Sequence, residues 1–375
     1  MVRSIAGIAA RAAGVVAAAG SLLAGTALAA SGVGVAQAMP ASPAAWHIVK
    51  QVHSGVAGDF TAVVATGKST GWAFNGNNLA GPTTKPTAWT RSGSTWTKAS
   101  FPGKRGEEVV AAAATSPTDV WAFTEVGVGS RVLRWNGHKW SVVKTFGKPI
   151  GGASVVSSKD VWVFGQAEIN QQLGVWHYNG RRWSEVNTSL EGGSALSATN
   201  VWAFRGTAVF HYNGHSWAKT SVAKELPKKL PNDLNDPILT GIYAQSATSV
   251  YAVGNGQAED EGGPTAILHY NGHSWSNVAQ GYFGFAMLPP NQQISPDGHG
   301  GIWLPMPGFG GFKSYVLHYS GGTLTEPALP HGALGIDVES VANIPGTTEM
   351  LGGGFTHKSG NPSLSVVAVI LQYGS

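Results

Sequence analysis

Six carboxylates, Asp59, Glu107, Glu108, Glu191, Asp337 and Glu339, stand at the heads of short runs of small and apolar residues, of which "VVAAAATS" at 109–116 is one. Carboxyl pairs about 5 to 9 Å apart cleave glycosidic bonds, and unpaired ones bind cations or sugar hydroxyls. A second group is aromatic: Tyr282, Phe283, Phe285, Phe309 and Phe312 fall in two nearby stretches, with Asn255, Gln257 and Asp260 within reach in sequence. Aromatic faces ringed by a few polar groups make a platform for sugar or peptide. A third group is His177, His211, His269 and His318, two of them in the repeated heptapeptide "HYNGHSW". Histidines suggest zinc, but zinc needs its ligands about 2 Å from one ion. The acidic run "AEDEGG" at 258–263 lacks the spaced ligands of a calcium loop.

Positioning these residues is the work of a repeat. The line "SPTDVWAF…VLRWNGHKWSVV" (116–143) returns as "SSKDVWVF…GVWHYNGRRWSEV", "SATNVWAF…AVFHYNGHSWAKT" and "SATSVYAV…AILHYNGHSWSNV", with weaker copies before and after. The key residue of each copy is Trp72, Trp121, Trp162, Trp202, Tyr251, Trp303 and Met350, at spacings of 49, 41, 40, 49, 52 and 47. That period suits a blade of four strands. Within a copy, the small-residue run, "DVWAF", "RVLRW" and "KWSVV" alternate as short strands between turn residues.

The fold expected is therefore all-β, a seven-bladed β-propeller of four-stranded antiparallel blades. The blades span roughly 59–100, 107–146, 150–188, 192–220, 238–279, 287–327 and 337–375. The last copy ends after its third strand. Its missing "W-x-x-V" strand occurs near the other end of the chain as "AWHIVKQV", so residues 45–52 are expected to complete the last blade.

On this frame the heptapeptide is a hairpin, with Asn-Gly expected at both central positions of a type I′ turn. The four histidines occupy one slot of four blades, about 10 to 20 Å apart given strand spacing, too far to share a metal. They are expected as partly buried rings bonded between blades, and neither metal nor cofactor is implied. Links after second and fourth strands share one face and are long, as in 75–86, 219–237, 254–264, 280–291 and 305–313. The other face carries tight turns. Variable loops on a rigid scaffold are where binding usually resides.

The first 38 residues read as a secretory signal: Arg3 and Arg11 precede an Ala/Val/Gly/Leu run ending in small-x-small sites. Cleavage after Ala38 is preferred over cleavage after Ala29, leaving residues 39–375 as one propeller domain, secreted and free of the membrane. With zero cysteines, neither disulfides nor thiol chemistry is available. The 337 mature residues carry 22 Lys+Arg against 20 Asp+Glu, too balanced for a nucleic-acid surface.

At its "DVWAF" and "LHYNGHSW" lines the chain resembles bacterial exported β-propellers with S-x-x-D-V-W-A-V-G and L-H-W-D-G-x-x-W repeats, loosely related to kelch-like and sialidase-like propellers. The resemblance covers roughly residues 45 to 375 and implies the fold, with no shared catalytic motif to carry over. The sialidase Asp box lies between third and fourth strands, whereas the Ser116/Asp119 and Ser157/Asp160 turns precede the second. Nucleophile-base motifs such as G-x-S-x-G or H-E-x-x-H are missing. The reading that results is a monomeric secreted protein binding an extracellular glycan or protein through its long-loop face, at Tyr282, Phe285, Phe309, Phe312, Asn255, Gln257 and Asp260. The alternatives are a glycoside hydrolase or polysaccharide lyase using carboxylates at the channel mouth (Asp59, Glu107, Glu191, Asp337, Glu339), and a structural envelope protein.

Overall fold

The structure, a computed structural model, describes residues 44–52, 58–76, 84–127, 129–166, 173–228, 233–258, 264–283, 293–308, 314–330, 335–357 and 366–374. The proposed leader lies outside them. One unit, Pro43–Ser375, holds every described residue.

Seven sheets of four antiparallel strands make up this unit. In blade 2 the strands are Glu108–Ser116, Asp119–Val126, Gly129–Trp135 and Trp140–Phe146, numbered from the innermost outward. The inner strands of blades 6, 7, 1, 2, 3, 4 and 5 touch in that order, and blade 5 packs on blade 6 through second- and third-strand side chains such as Val253, Ile267, Leu304 and Leu317. Blade 7 is ordered Ala45–Val52, Val366–Gly374, Met350–His357, Ile336–Asn343 from outside in. The N-terminal strand thus supplies the missing outer strand, with Trp46 opposite Tyr373 just as Trp183 is opposite Tyr178.

Each sheet is apolar on both faces because it is sandwiched between two others, and the core divides into seven clusters, one per blade-to-blade interface. Trp121, Phe123, Val132 and Ile150 with Val161 and Val163, for instance, bind blade 2 to blade 3. Fully buried side chains of this size contribute about 1.5–3 kcal/mol each, so every interface is independently substantial.

The repeat residues explain themselves locally. In the hairpins, Trp135 pairs with Trp140 and Tyr212 with Trp217, leaving four-residue links. Asn136 is not a central residue, as expected from a type I′ turn, but the first of the link. Its Oδ1 accepts from the amides of His138 and Lys139 at 3.0 and 2.9 Å, in place of a backbone carbonyl. Gly137 beside it has φ of 91°, and a Cβ there would lie 3.0 Å from the Thr118 side chain in the neighbouring turn. The Tyr212 hydroxyl closes its own hairpin by donating to Gly214 O at 2.8 Å.

The histidines bond within their own blades, not between blades. His177 stacks on Trp162 with ring centroids 4.1 Å apart, and its Nε2 lies 2.8 Å from Asp160 Oδ1, which also accepts from Trp162 Nε1. His211 meets Asn200, His269 meets Ser249 and His318 meets Asp297 in the same way. In blade 2 the slot holds Arg134 on Asp119. The reason is register: the slot lies directly across from the key aromatic, so in blades 2 to 5 the partner stands two residues before that aromatic, and in blade 6 Asp297, six residues before Trp303, fills the role.

Candidate functional site at the mouth of the channel

The inner strands start on the face where second-to-third and fourth-to-first links emerge. Near that end the register slips by one residue in six blades, between Phe60/Ala62, Val109/Ala111, Ile150/Gly152, Glu191/Gly193, Leu239/Gly241 and Val338/Ser340. A bulge of this kind leaves one residue unpaired and re-aims its side chain. In blade 7 that residue is Glu339. Asp59 and Glu108 occupy one slot, thirteen residues ahead of Trp72 and Trp121.

The structure sorts the acids by these offsets. Asp59, Glu108 and Glu339, from blades 1, 2 and 7, come together. Glu108 Cγ packs against Gly76, where a Cβ would be 3.1 Å away, and the Gly76 amide donates to Asp59 O at 2.9 Å. Burial, then the charges of Asp59 and Glu125, push the Glu108 carboxyl up to about 8. Burial, then Asp59, Asp337 and Glu108, push Glu339 up to about 8 as well. Burial raises Asp59 to about 6 against a hydrogen bond from its own amide. Asp59 is 2% exposed and its Oδ1 has no hydrogen-bond partner, while Glu108 and Glu339 keep part of their surface open. These three carry no ion pair among the described residues.

The other acids are engaged elsewhere. Glu107 turns into its own blade, where it is fully buried and pairs with Arg131, while Thr124 Oγ1 and the Lys104 amide donate to it at 2.5 and 2.6 Å. Burial alone would push its carboxyl up; the Arg131, Thr124 and Lys104 hydrogen bonds outweigh that and hold it below the usual range. Asp337 accepts from Ser314 Oγ and, at 3.0 Å, from the Gly308 amide of blade 6. Glu191 sits on blade 4, its carboxyl raised by burial, with Arg205 Nε 3.9 Å away.

Of the aromatic group, Phe285, Phe309, Phe312 and Asp260 lie outside the described residues. Phe283 packs on blade 6 with its ring 5.4 Å from that of Tyr315. Tyr282 ends the outer strand of blade 5, half exposed, in a groove with Lys224, Leu226, Pro227 and Asn277. Asn255 is buried in the second strand of blade 5, its Oδ1 without a partner, and the Gln257 backbone continues that strand opposite Asn235. Asn75, also buried, has an unpartnered Nδ2 beside Gly58, next to Asp59. Sequence reading placed Asn75 only in a long loop; a polar residue three after the key tryptophan, where Gly165 and Gly254 stand in other copies, is the signal it carries.

The channel itself is lined by small residues. A cavity of about 420 Å³ runs along blades 2 to 6, bounded by Gly152, Ser154, Gly193, Ser194, Tyr243 and Gln245 among others, and its lining does not include the acids at the mouth. Ser154 and Ser194 accept hydrogen bonds from the inner strands of the following blades, at Ala195 N and Ala244 N, 3.1 and 3.0 Å away. Groups of three metal-ligating side chains in coordinating geometry are absent among the described residues.

No protein-family model matches the chain, and no curated protein does. Among solved structures it is similar to RRP9 WD40 repeats (TM-score 0.55, 11% identity, 88% of this chain and 97% of that one). It is similar also to YCF48 bound to D1 peptide (0.52, 11%, 88% and 97%). A third is the GH74 xyloglucanase from Xanthomonas campestris (0.51, 13%, 83% and 52%). At such identities the likeness is one of fold alone, that of a β-propeller.

Proposed function

We propose that the protein is a secreted binding protein whose long-loop face, centred on the channel mouth, engages an extracellular protein or glycan. The observation that carries this is the meeting of Asp59, Glu108 and Glu339 from three neighbouring blades at that face, without an ion pair among the described residues. A carboxyl cluster that repels itself destabilises the free protein, and such arrangements persist where a ligand uses them. A peptide partner is supported by the similar YCF48, whose structure is with a peptide, and a carbohydrate partner by the similar xyloglucanase. A glycan-cleaving reading has one point in its favour: carboxyls raised to about 8 are protonated at neutral pH and can act as acids.

The test is retention. Purified protein is screened against a glycan array and against proteins of its own culture medium and cell wall. The binding reading expects a ligand whose retention falls on replacing Asp59, Glu108 and Glu339 or Tyr282. A ligand mapping to the tight-turn face overturns it, and release of reducing sugar that depends on these acids replaces it with the hydrolase.

A further inference from the structure

We propose that the channel mouth is a receptor for a basic side chain, the lysine ammonium or arginine guanidinium of a peptide segment, received between Asp59, Glu108 and Glu339. This deepens the reading above and rests on it. Three features lead here. The first is the unpartnered Oδ1 of Asp59, an acceptor buried with its residue at 2% exposure. A buried acceptor left without a donor costs about 1–3 kcal/mol, which an entering N–H recovers.

The second is charge. The groups whose fields reach the three carboxyls are Glu125 on the second strand of blade 2 and Asp337 on the inner strand of blade 7, both acidic. Arg131 of blade 2 is spent on Glu107. Among the described residues, no cation is among the groups that act on the three carboxyls.

The third is access. Asp59 is buried, whereas Glu108 and Glu339 are only partly covered. A charge on a long, slim aliphatic stem reaches such a depth, whereas an ammonium fixed directly to a sugar ring is held back by the ring. Asn75, whose unpartnered Nδ2 lies beside Gly58, the residue before Asp59, is a donor suited to a peptide carbonyl.

Docking a cation between carboxyls that are protonated at neutral pH expels protons. Lysine stays charged to about pH 10 and unbound glutamate ionises near 4.3, so binding tightens with rising pH until the glutamates are ionised without help, near 8. Each proton released changes affinity about tenfold per pH unit.

Hexalysine is the probe, titrated calorimetrically into the purified full chain at about pH 6, 7 and 8.5 in buffers of differing ionisation enthalpy. The expected result is saturable binding that strengthens at least ~10-fold from the lowest to the highest pH, with proton release at pH 7. Glu108→Gln and Glu339→Gln each weaken it ~10-fold or more at pH 8.5, Asp59→Asn does likewise, and Glu185→Gln on an outer strand leaves it unchanged. Hexaarginine behaves as hexalysine, and acetylated hexalysine and chitosan oligomers do not bind. Failure of hexalysine and hexaarginine to bind, or binding indifferent to the three substitutions, overturns the proposal. Should a variant not fold, the wild-type proton count decides: binding without proton release also overturns it. A glycan or protein retained on the long-loop face independently of these acids would leave the binding function standing and this inference refuted.

Discussion

Adjacent glutamates in one sequence run have opposite fates here. Glu107 is locked to Arg131 inside blade 2, and Glu108 faces the mouth with no counter-charge. Removing one partner of a buried pair leaves the other charge stranded, so Glu107→Ala is expected to cost about 3–5 kcal/mol, read as a fall in denaturant midpoint. Glu108→Gln acts in the reverse direction. A glutamate with a folded pKa of about 8 binds a proton that the unfolded chain, near 4.3, has already lost, so its contribution to stability is lost as pH rises through that window. Glu108→Gln and Glu339→Gln should therefore melt higher than wild type at pH 8.5, by about 1–2 kcal/mol each, and equal it at pH 5. Calorimetric melting across this range checks the sign. Glu107, held below its usual range, gives the opposite limb, with stability lost as pH falls below about 4. The sequence showed that acids head the inner strands; it could not show which of Glu107 and Glu108 turns inward, because facing alternates residue by residue and the nearby bulge shifts the count.

At the scale of the element, the repeat residues form one device. The acceptor two residues before the key aromatic receives the indole N–H in blades 2 and 3, and the third-strand residue across from it in blades 2 to 5, while in blade 6 Asp297, six residues before Trp303, takes that place. Asp160→Ala removes the acceptor of both Trp162 Nε1 and His177 Nε2, and is expected to destabilise by about 2–3 kcal/mol, whereas Asp160→Asn keeps an acceptor and costs less. Paired urea titrations of the two variants discriminate. This network was legible only by half. The spacing of Asp, Trp and His was visible, but placing the bonds between blades ignored that antiparallel register sets third-strand histidine directly across from second-strand tryptophan. The loop aromatics Phe285, Phe309 and Phe312 follow no period at all, so no register argument reaches them, whereas Tyr282 is fixed by its pairing with Pro264.

The whole molecule depends on a strand that lies far from its blade in sequence. Trp46 is 3% exposed, with its ring 5.7 Å from Trp303 of blade 6 and 5.5 Å from Tyr373 of blade 7, so it bonds the closing strand both to its own sheet and to the next. Trp46→Ala removes a large buried aromatic at a cost of about 3–5 kcal/mol. Deleting residues 45–52 goes further, since it uncovers Val366–Gly374 as a free edge and opens the face of blade 7 to water. The ring would then be held at the 7-to-1 seam by the inner contacts alone, such as the Val63 amide donating to Ser340 Oγ at 3.1 Å. Asp59 and Glu339 lie on opposite sides of that seam, so closure and the mouth are coupled: a loosened seam should separate these carboxyls and relax their mutual repulsion. The truncated chain is accordingly expected to unfold at a lower denaturant midpoint, to aggregate through its exposed edge, and to lose most of the destabilisation above pH 7 that the intact ring shows. Comparing the pH dependence of melting in the intact and truncated chains measures this. Identical midpoints and identical pH slopes would mean that the N-terminal strand neither closes the ring nor holds the mouth together.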